Sequence, residues 1–215
     1  MGCLGAIFAG APIAALIAHF GWRTSLYGAG ILGVMLATLC ALFLQDHPHS
    51  NTDKKTIEAM PFIQILHATW HRFIQVLTKP QSWTVGLSAF AIWAPIAIFA
   101  ESWGTSYLSL LQGISQTEAA SEVMWVWIAM ATASPLAGWL SNALQNRKLP
   151  TLVLLFTGLF ASSILVFYPP QSPFLISLLL FLLGVASAGQ PITFGMVHDN
   201  NPDNTLGTAI ALNNM

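Results

Sequence analysis

Charged residues divide this chain into long apolar blocks. No Asp, Glu, Lys or Arg occurs in positions 1–22, 24–45, 80–100, 123–146 or 149–198. A helix rising 1.5 Å per residue needs roughly 20 predominantly apolar residues to cross a hydrocarbon core. The first four blocks therefore predict one span each. The fifth predicts two, divided at YPPQSP (168–173), because adjacent prolines cannot continue a helix. TLGTAIALNNM (205–215) reads as the opening of a seventh span. The expected fold is all-α and transmembrane, a helical bundle of six full spans plus part of a seventh, in a chain cut short at both ends.

The long polar interruption, 46–81, changes character midway. QDHPHSNTDKK, from Gln45, is a solvated linker by composition. From Ile63 to Leu77 the period becomes helical: Ile63, Leu66, Trp70, Phe73, Ile74 and Leu77 repeat at i, i+3, i+4 spacing, with His67, His71 and Arg72 between them. That pattern predicts an amphipathic helix lying on the membrane surface or on the ends of the spans.

Composition supports a lipid-facing exterior. Of 215 residues, 55% are hydrophobic and only 7% charged, against about 25% charged in an ordinary soluble domain. A cleaved secretory leader is a poor reading of the first block, since MGCLGAIFAGAP has no basic n-region and similar spans follow. Cys3 and Cys40 fall inside predicted spans and read as reduced apolar side chains.

The seven basic residues set the orientation. Lys54, Lys55, Arg72, Lys79, Arg147 and Lys148 lie in the loops 46–81 and 145–149; only Arg23 lies in an opposite loop. If every span crosses, the excess of Lys and Arg places those two loops in the cytoplasm. The cell inner membrane is then the expected location. Lipid is the expected surroundings, and nothing suggests nucleic acid as a partner.

Four stretches in order resemble the major facilitator superfamily of secondary transporters, whose members have twelve helices in two six-helix halves. GAPIAALIAHFGWRTSLYGAGILG (10–33) is similar to the end of helix five, a short outer loop and helix six, with Gly21, Trp22 and Arg23 at the loop. GWLSNALQNRK (138–148) resembles the loop signature Gly-x-x-x-Asp-Arg-x-Gly-Arg-Arg/Lys between helices eight and nine: Gly138 matches, Asn142 replaces the Asp, Gln145 replaces the second Gly, and Arg147 and Lys148 form the basic end. IFAESWGTSYLSLLQGISQTEAAS (98–121) and NPDNTLGTAIALNNM (201–215) are similar to the end of helix seven and the entry to helix eleven. Trp103, Gly104, Tyr107 and Leu108 carry a weaker likeness to the bacterial sugar-phosphate and organic-anion permease branch.

The resemblance implies a chain running from helix five to the start of helix eleven. Residues 1–45 would be the last two helices of the N-terminal half, 46–81 the linker, and 82–215 a truncated C-terminal half. It also implies a small-molecule substrate held at the midplane by helices one, four, seven and ten, with the missing helices as partners. In the loop motif, Gly138 would allow a close helix contact, Asn142 would cap or bond across, and Arg147 with Lys148 would anchor at the anionic leaflet.

Candidate substrate or coupling residues follow from depth and chemistry. Trp93 and Pro95 lie mid-span on helix seven, and Glu101 near its outer end; an acid facing a membrane cavity is costly and often functional. Glu122, at the start of helix eight, is a second such acid. Trp103 and Tyr107 could stack on or hydrogen-bond a substrate, though an interfacial aromatic belt also explains them, as it does Trp125 and Trp127. On helix ten, GVASAGQPITFG (184–195) interrupts an apolar run with Gln190 and Pro191, the mark of a discontinuous helix at a binding site or of a packing kink.

Other letters carry less. His67 and His71 have metal-sharing spacing, but Ala68 stands where a zinc-protease signature needs Glu. With His47 and His49 they make at most a loose metal-binding linker, and no metal site is expected. Gly28, Gly30 and Gly33 spell a dinucleotide fingerprint inside an apolar span, with no preceding strand, and read as helix-packing glycines. No phosphate-binding G-x-x-x-x-G-K-[ST] loop occurs, so no cofactor is expected and an ion gradient is the expected energy source. No nucleophile and base fall at one depth, which argues against an enzyme. The function expected is secondary active transport of a small polar or anionic solute by alternating access; the alternative is a truncated, non-transporting assembly partner or scaffold.

Overall fold

A computed structural model describes residues 2–44 and 61–214, and all regular structure in these is helical. The first apolar block is two short helices, α1 (Gly2–Ala9) and α2 (Ala11–Phe20), where the hydropathy pattern predicted one span. Gly10 separates them, and Pro12, which lacks an N–H, sits in the first turn of α2. Gly21, with φ 77°, turns the chain into α3 (Trp22–Phe43). At that tip the Arg23 guanidinium carbon lies 5.0 Å from the Trp22 ring centroid, a cation–π contact that shelters the outlying Arg.

The amphipathic segment forms α4 (Phe62–Leu77), within one residue of the start the periodicity predicts. Val76 is buried while Leu66 and Trp70 stay more than half exposed, and the helix packs along the last one, Asp203–Asn213. The linker residues before it, including His47 and His49, lie outside the described residues.

Helix seven of the expected plan is α5 (Pro80–Pro95), continued by a π-helical stretch (Ile96–Trp103) and α6 (Gly104–Gln112). Pro95 removes an N–H from the helical ladder, and the wider π turns follow at once. Then come α7 (Gln116–Ala143), opened by a Ser115–Glu118 capping box, and α8 (Lys148–Phe167). α9 (Pro173–Ser187), α10 (Gln190–Asn200) and α11 (Asp203–Asn213) complete the chain. The division at the double proline and the break inside 184–195, now at Ala188–Gly189, both fall where the sequence puts them.

Among the described residues five helical stretches are long and apolar enough to cross a bilayer: Trp22–Phe43, Pro80–Gln112, Gln116–Ala143, Lys148–Phe167 and Pro173–Asn200. The protein is therefore a multi-pass membrane protein with lipid around it. Its core lies where α9 packs between α7 and α8, around Val126, Ala161, Leu165, Leu180 and Leu183. In lipid, apolar surface alone does not drive helices together, so van der Waals fit must do so. Gly184 supplies it: a Cβ there would meet the Val126 carbonyl oxygen at 2.1 Å.

Three packing expectations need correction. Gly138 has no neighbour within 4 Å of where a Cβ would stand, so it makes no close helix contact with the described residues. Gly28, Gly30 and Gly33 are likewise open, because α3 buries no residue and touches only α2 substantially. Trp127 packs against the core rather than standing with Trp125 as a lipid anchor. The glycines face no described neighbour, whereas Trp127 meets the core across its surface.

Candidate functional site

α5 and α10 diverge from their shared packing with α11 to leave a groove of about 830 Å³, within the range of ordinary small-molecule sites. Trp93 from α5 and Gln190 from α10 both line it, as do Phe90, Phe194 and Asn213. The local sequence explains the meeting. Gln190 is the first residue of α10, just after the Ala188–Gly189 break, and Pro191 occupies a position where the missing N–H costs least. Ser187, at the end of α9, donates to the Ile92 carbonyl across 3.0 Å and ties the break to α5 one residue before Trp93.

No lining residue of the groove carries a charge. Its polar groups are the Ser82 hydroxyl, the Gln190, Asn213 and Asn214 amides, and the indole N–H groups of Trp83 and Trp93, the first of which donates to the Leu77 carbonyl. Such a surface can hydrogen-bond and stack but cannot neutralise a net charge.

The remaining candidates lie elsewhere. Glu101 is exposed and lines a separate crevice, of about 480 Å³, between α1, α2 and α7. Trp103 is 70% exposed at the end of the π stretch. Tyr107 turns inward, its hydroxyl donating to the Leu165 carbonyl at 2.6 Å and its ring meeting Phe99 edge-on. Trp103, at the junction of the π stretch with α6, and Tyr107, four residues on, therefore do not share one environment. Glu122 accepts a 2.6 Å hydrogen bond from Ser177 on α9.

At the opposite end, the basic loop finds an acid that the motif lacked. Arg147 forms an ion pair with Asp199 on α10, through its Nε and, at 3.4 Å, a terminal nitrogen. Gly195 makes room for it, since a Cβ there would lie 2.6 Å from the guanidinium. Asn142 is exposed, its backbone carbonyl accepting from the Gln145 amide at 2.8 Å. Lys148 is exposed at the start of α8. Nearby, Lys79 donates to the Asn200 carbonyl and the Asn201 side chain at 3.4 and 3.3 Å, joining the α4–α5 turn to the α10–α11 turn.

Sequence reasoning missed Asn213 and Asp199. Asn213 was visible only as part of the Asn-Asn-Met ending, and an Asn at the end of an apolar helix was the available signal. Asp199 ends the longest charge-free run in the chain, but nothing in the sequence pairs it with Arg147, 52 residues earlier.

A family model described as "Major Facilitator Superfamily" matches residues 1–215, the whole chain. The chain is also similar to a protein of Oryza sativa subsp. japonica named "Probable anion transporter 1, chloroplastic", with 26% identity over 142 residues. That match takes in 62% of this chain and 26% of the relative, so the chain corresponds to about a quarter of the rice protein's length. No solved structure matches the chain.

Proposed function

Because the chain belongs to the Major Facilitator Superfamily, we propose that it acts in secondary active transport of a small polar or anionic solute, by alternating access and with ion coupling. Residues 1–45 serve as the last two helices of an N-terminal half, 46–81 as the cytoplasmic linker, and 82–215 as part of the C-terminal half. The basic loops face the cytoplasm, which fits the cell inner membrane. A transporter of this kind needs no catalytic residue and no cofactor.

The observation that carries this reading is the groove holding Trp93 and Gln190 together beside a helix break. A broken helix beside a cavity at membrane depth is where transporters of this plan bind substrate. Trp93 offers an aromatic face, and Gln190 a donor and an acceptor. Glu101, Trp103 and Tyr107 belong to the outer end of the same helix and act, in this reading, on access rather than on contact. Gly138, Asn142, Arg147 and Lys148 form the cytoplasmic gate, with the Arg147–Asp199 pair as its latch. The rice relative's name supports an anionic solute.

Solute flux tests the proposal. The chain in sealed proteoliposomes is offered radiolabelled phosphate, dicarboxylates and hexoses, with and without an imposed proton or sodium gradient. Gradient-driven uptake of one of them is expected, and Trp93→Ala or Gln190→Ala should each lower it by about tenfold, as loss of a contact made in a water-poor site does. The second reading, a non-transporting assembly partner, rests on the correspondence to a quarter of the relative's length. It gains if the reconstituted chain moves nothing and uptake appears only on adding a second polypeptide.

A further inference from the structure

We infer that the trough between α4 and α11 is a binding site for a membrane phospholipid, with an anionic headgroup preferred. The inference does not depend on the solute groove. The trough measures about 810 Å³. One wall is the apolar stripe of α4, with Ile63, Leu66 and Trp70, and His67 beside them. The other wall is α11, where Gly207 and Ala211 leave room. A Cβ on Gly207 would find nothing within 4 Å, so the space over it is open. Ile63, Leu66 and Trp70 are 73%, 56% and 61% exposed, although α4 packs along α11 and Val76 is fully buried. The helix is docked by one edge and holds its apolar stripe over the trough.

Its place in the fold and the residues it lacks decide what fills it. α4 ends at Leu77, and the next span begins at Pro80. The Trp83 indole donates to the Leu77 carbonyl at 2.8 Å, which ties the end of α4 to the first turn of that span. An amphipathic helix held there lies at the hydrocarbon boundary, where its apolar side chains meet acyl chains. No acid lines the trough, and none occurs in FIQILHATWHRFIQVL, the whole of α4. The helix carries Arg72 and two imidazoles, His67 in the lining and His71 one turn on along the same stripe. Imidazole and guanidinium N–H groups are donors that suit a phosphodiester. Apolar walls flanked by donors and free of acids match an amphiphile with a phosphate head. A neutral headgroup gains the hydrogen bonds alone, whereas an anionic one is also attracted to Arg72.

The test reconstitutes the whole chain in phosphatidylcholine vesicles containing a rising minor fraction of a lipid brominated along its acyl chains, either phosphatidylglycerol or phosphatidylcholine. Bromine quenches indole fluorescence only at close range, and the Trp70 signal is the difference between the chain and its Trp70→Phe variant. Half-maximal quenching of Trp70 should need about fivefold less brominated phosphatidylglycerol than brominated phosphatidylcholine, the effect of one cationic side chain near an anionic surface. Combining His67→Gln, His71→Gln and Arg72→Gln should abolish that preference. Gly207→Leu, which extends into the open space of the trough, should weaken quenching by both lipids. Equal quenching by the two lipids overturns the inference, and so does no quenching by either, since another occupant then shields Trp70. A preference that survives the triple substitution overturns the assignment of the headgroup to His67, His71 and Arg72. The comparison of the two lipids on the unsubstituted chain holds even if a variant does not fold.

Discussion

Gln145 stands at φ 48°, in the left-handed region, at the loop position where the family pattern has Gly. A side chain there costs on the order of 1 kcal/mol, offset in part by the exposed 2.8 Å bond from its amide to the Asn142 carbonyl. Gln145→Gly should therefore stabilise the chain by about 0.5 kcal/mol, and Gln145→Val should destabilise it by about 1 kcal/mol or more. Thermal unfolding in detergent reads both, and a lower midpoint for the Gly variant would refute the strain. At this scale the sequence is a partial guide. It marks Gln145 as unusual and Arg147 as basic, but it leaves Asn142 in place of the usual acid. The structure gives Arg147 its carboxylate from Asp199, on another helix. Because the pair is partly exposed, it is worth at most about 1 kcal/mol to stability. Its value lies in holding the loop to α10.

Among elements, the tightest demand is where α9 crosses α7. A Cβ on Gly184 would meet the Val126 carbonyl at 2.1 Å and the Ala129 Cβ at 2.7 Å, so backbone must move to admit any side chain. Gly184→Ala should cost on the order of 1–3 kcal/mol, as overpacking of a close contact does. Gly138→Ala, in open space, should change stability by no more than about 0.5 kcal/mol. Equal effects of the two substitutions on thermal unfolding would show that the crossing is not the limiting contact. Element existence was legible because the signals are local: charge-free length for the spans, paired prolines for the α8–α9 break, a helical period for α4. The π stretch was not legible. Pro95 announces a disturbance in the helix, but only packing decides whether it becomes a kink or a wider turn.

At the scale of the whole molecule, the crossing plan puts the basic loops at one end of the spans and Arg23 at the other. Arg23→Cys and Lys148→Cys should therefore react with a membrane-impermeant maleimide from opposite faces of sealed, oriented vesicles, with Arg23→Cys on the outer face. Labelling of both from the same face would sink the crossing plan. Among the described residues, α3 has no buried residue and rests mainly on α2. The candidate site belongs to this scale as well. Trp93 and Gln190 are 97 positions apart and were each singled out by depth and residue type. That they share one groove while Glu101 lines another is a matter of how α5, α10 and α11 pack.

Apolar blocks and prolines by themselves determined that this chain is helical and crosses a membrane repeatedly. Each of these follows from the cost of exposing charge or backbone to hydrocarbon, which is evaluated residue by residue and needs no neighbour. Tertiary structure decided which glycines are contacts, which acid meets Arg147, and that Asn213 turns its nitrogen to Thr193. Those outcomes depend on distances between atoms far apart in sequence. Hydrogen bonds and close packing act over only a few ångströms, so no reading of a linear pattern contains them.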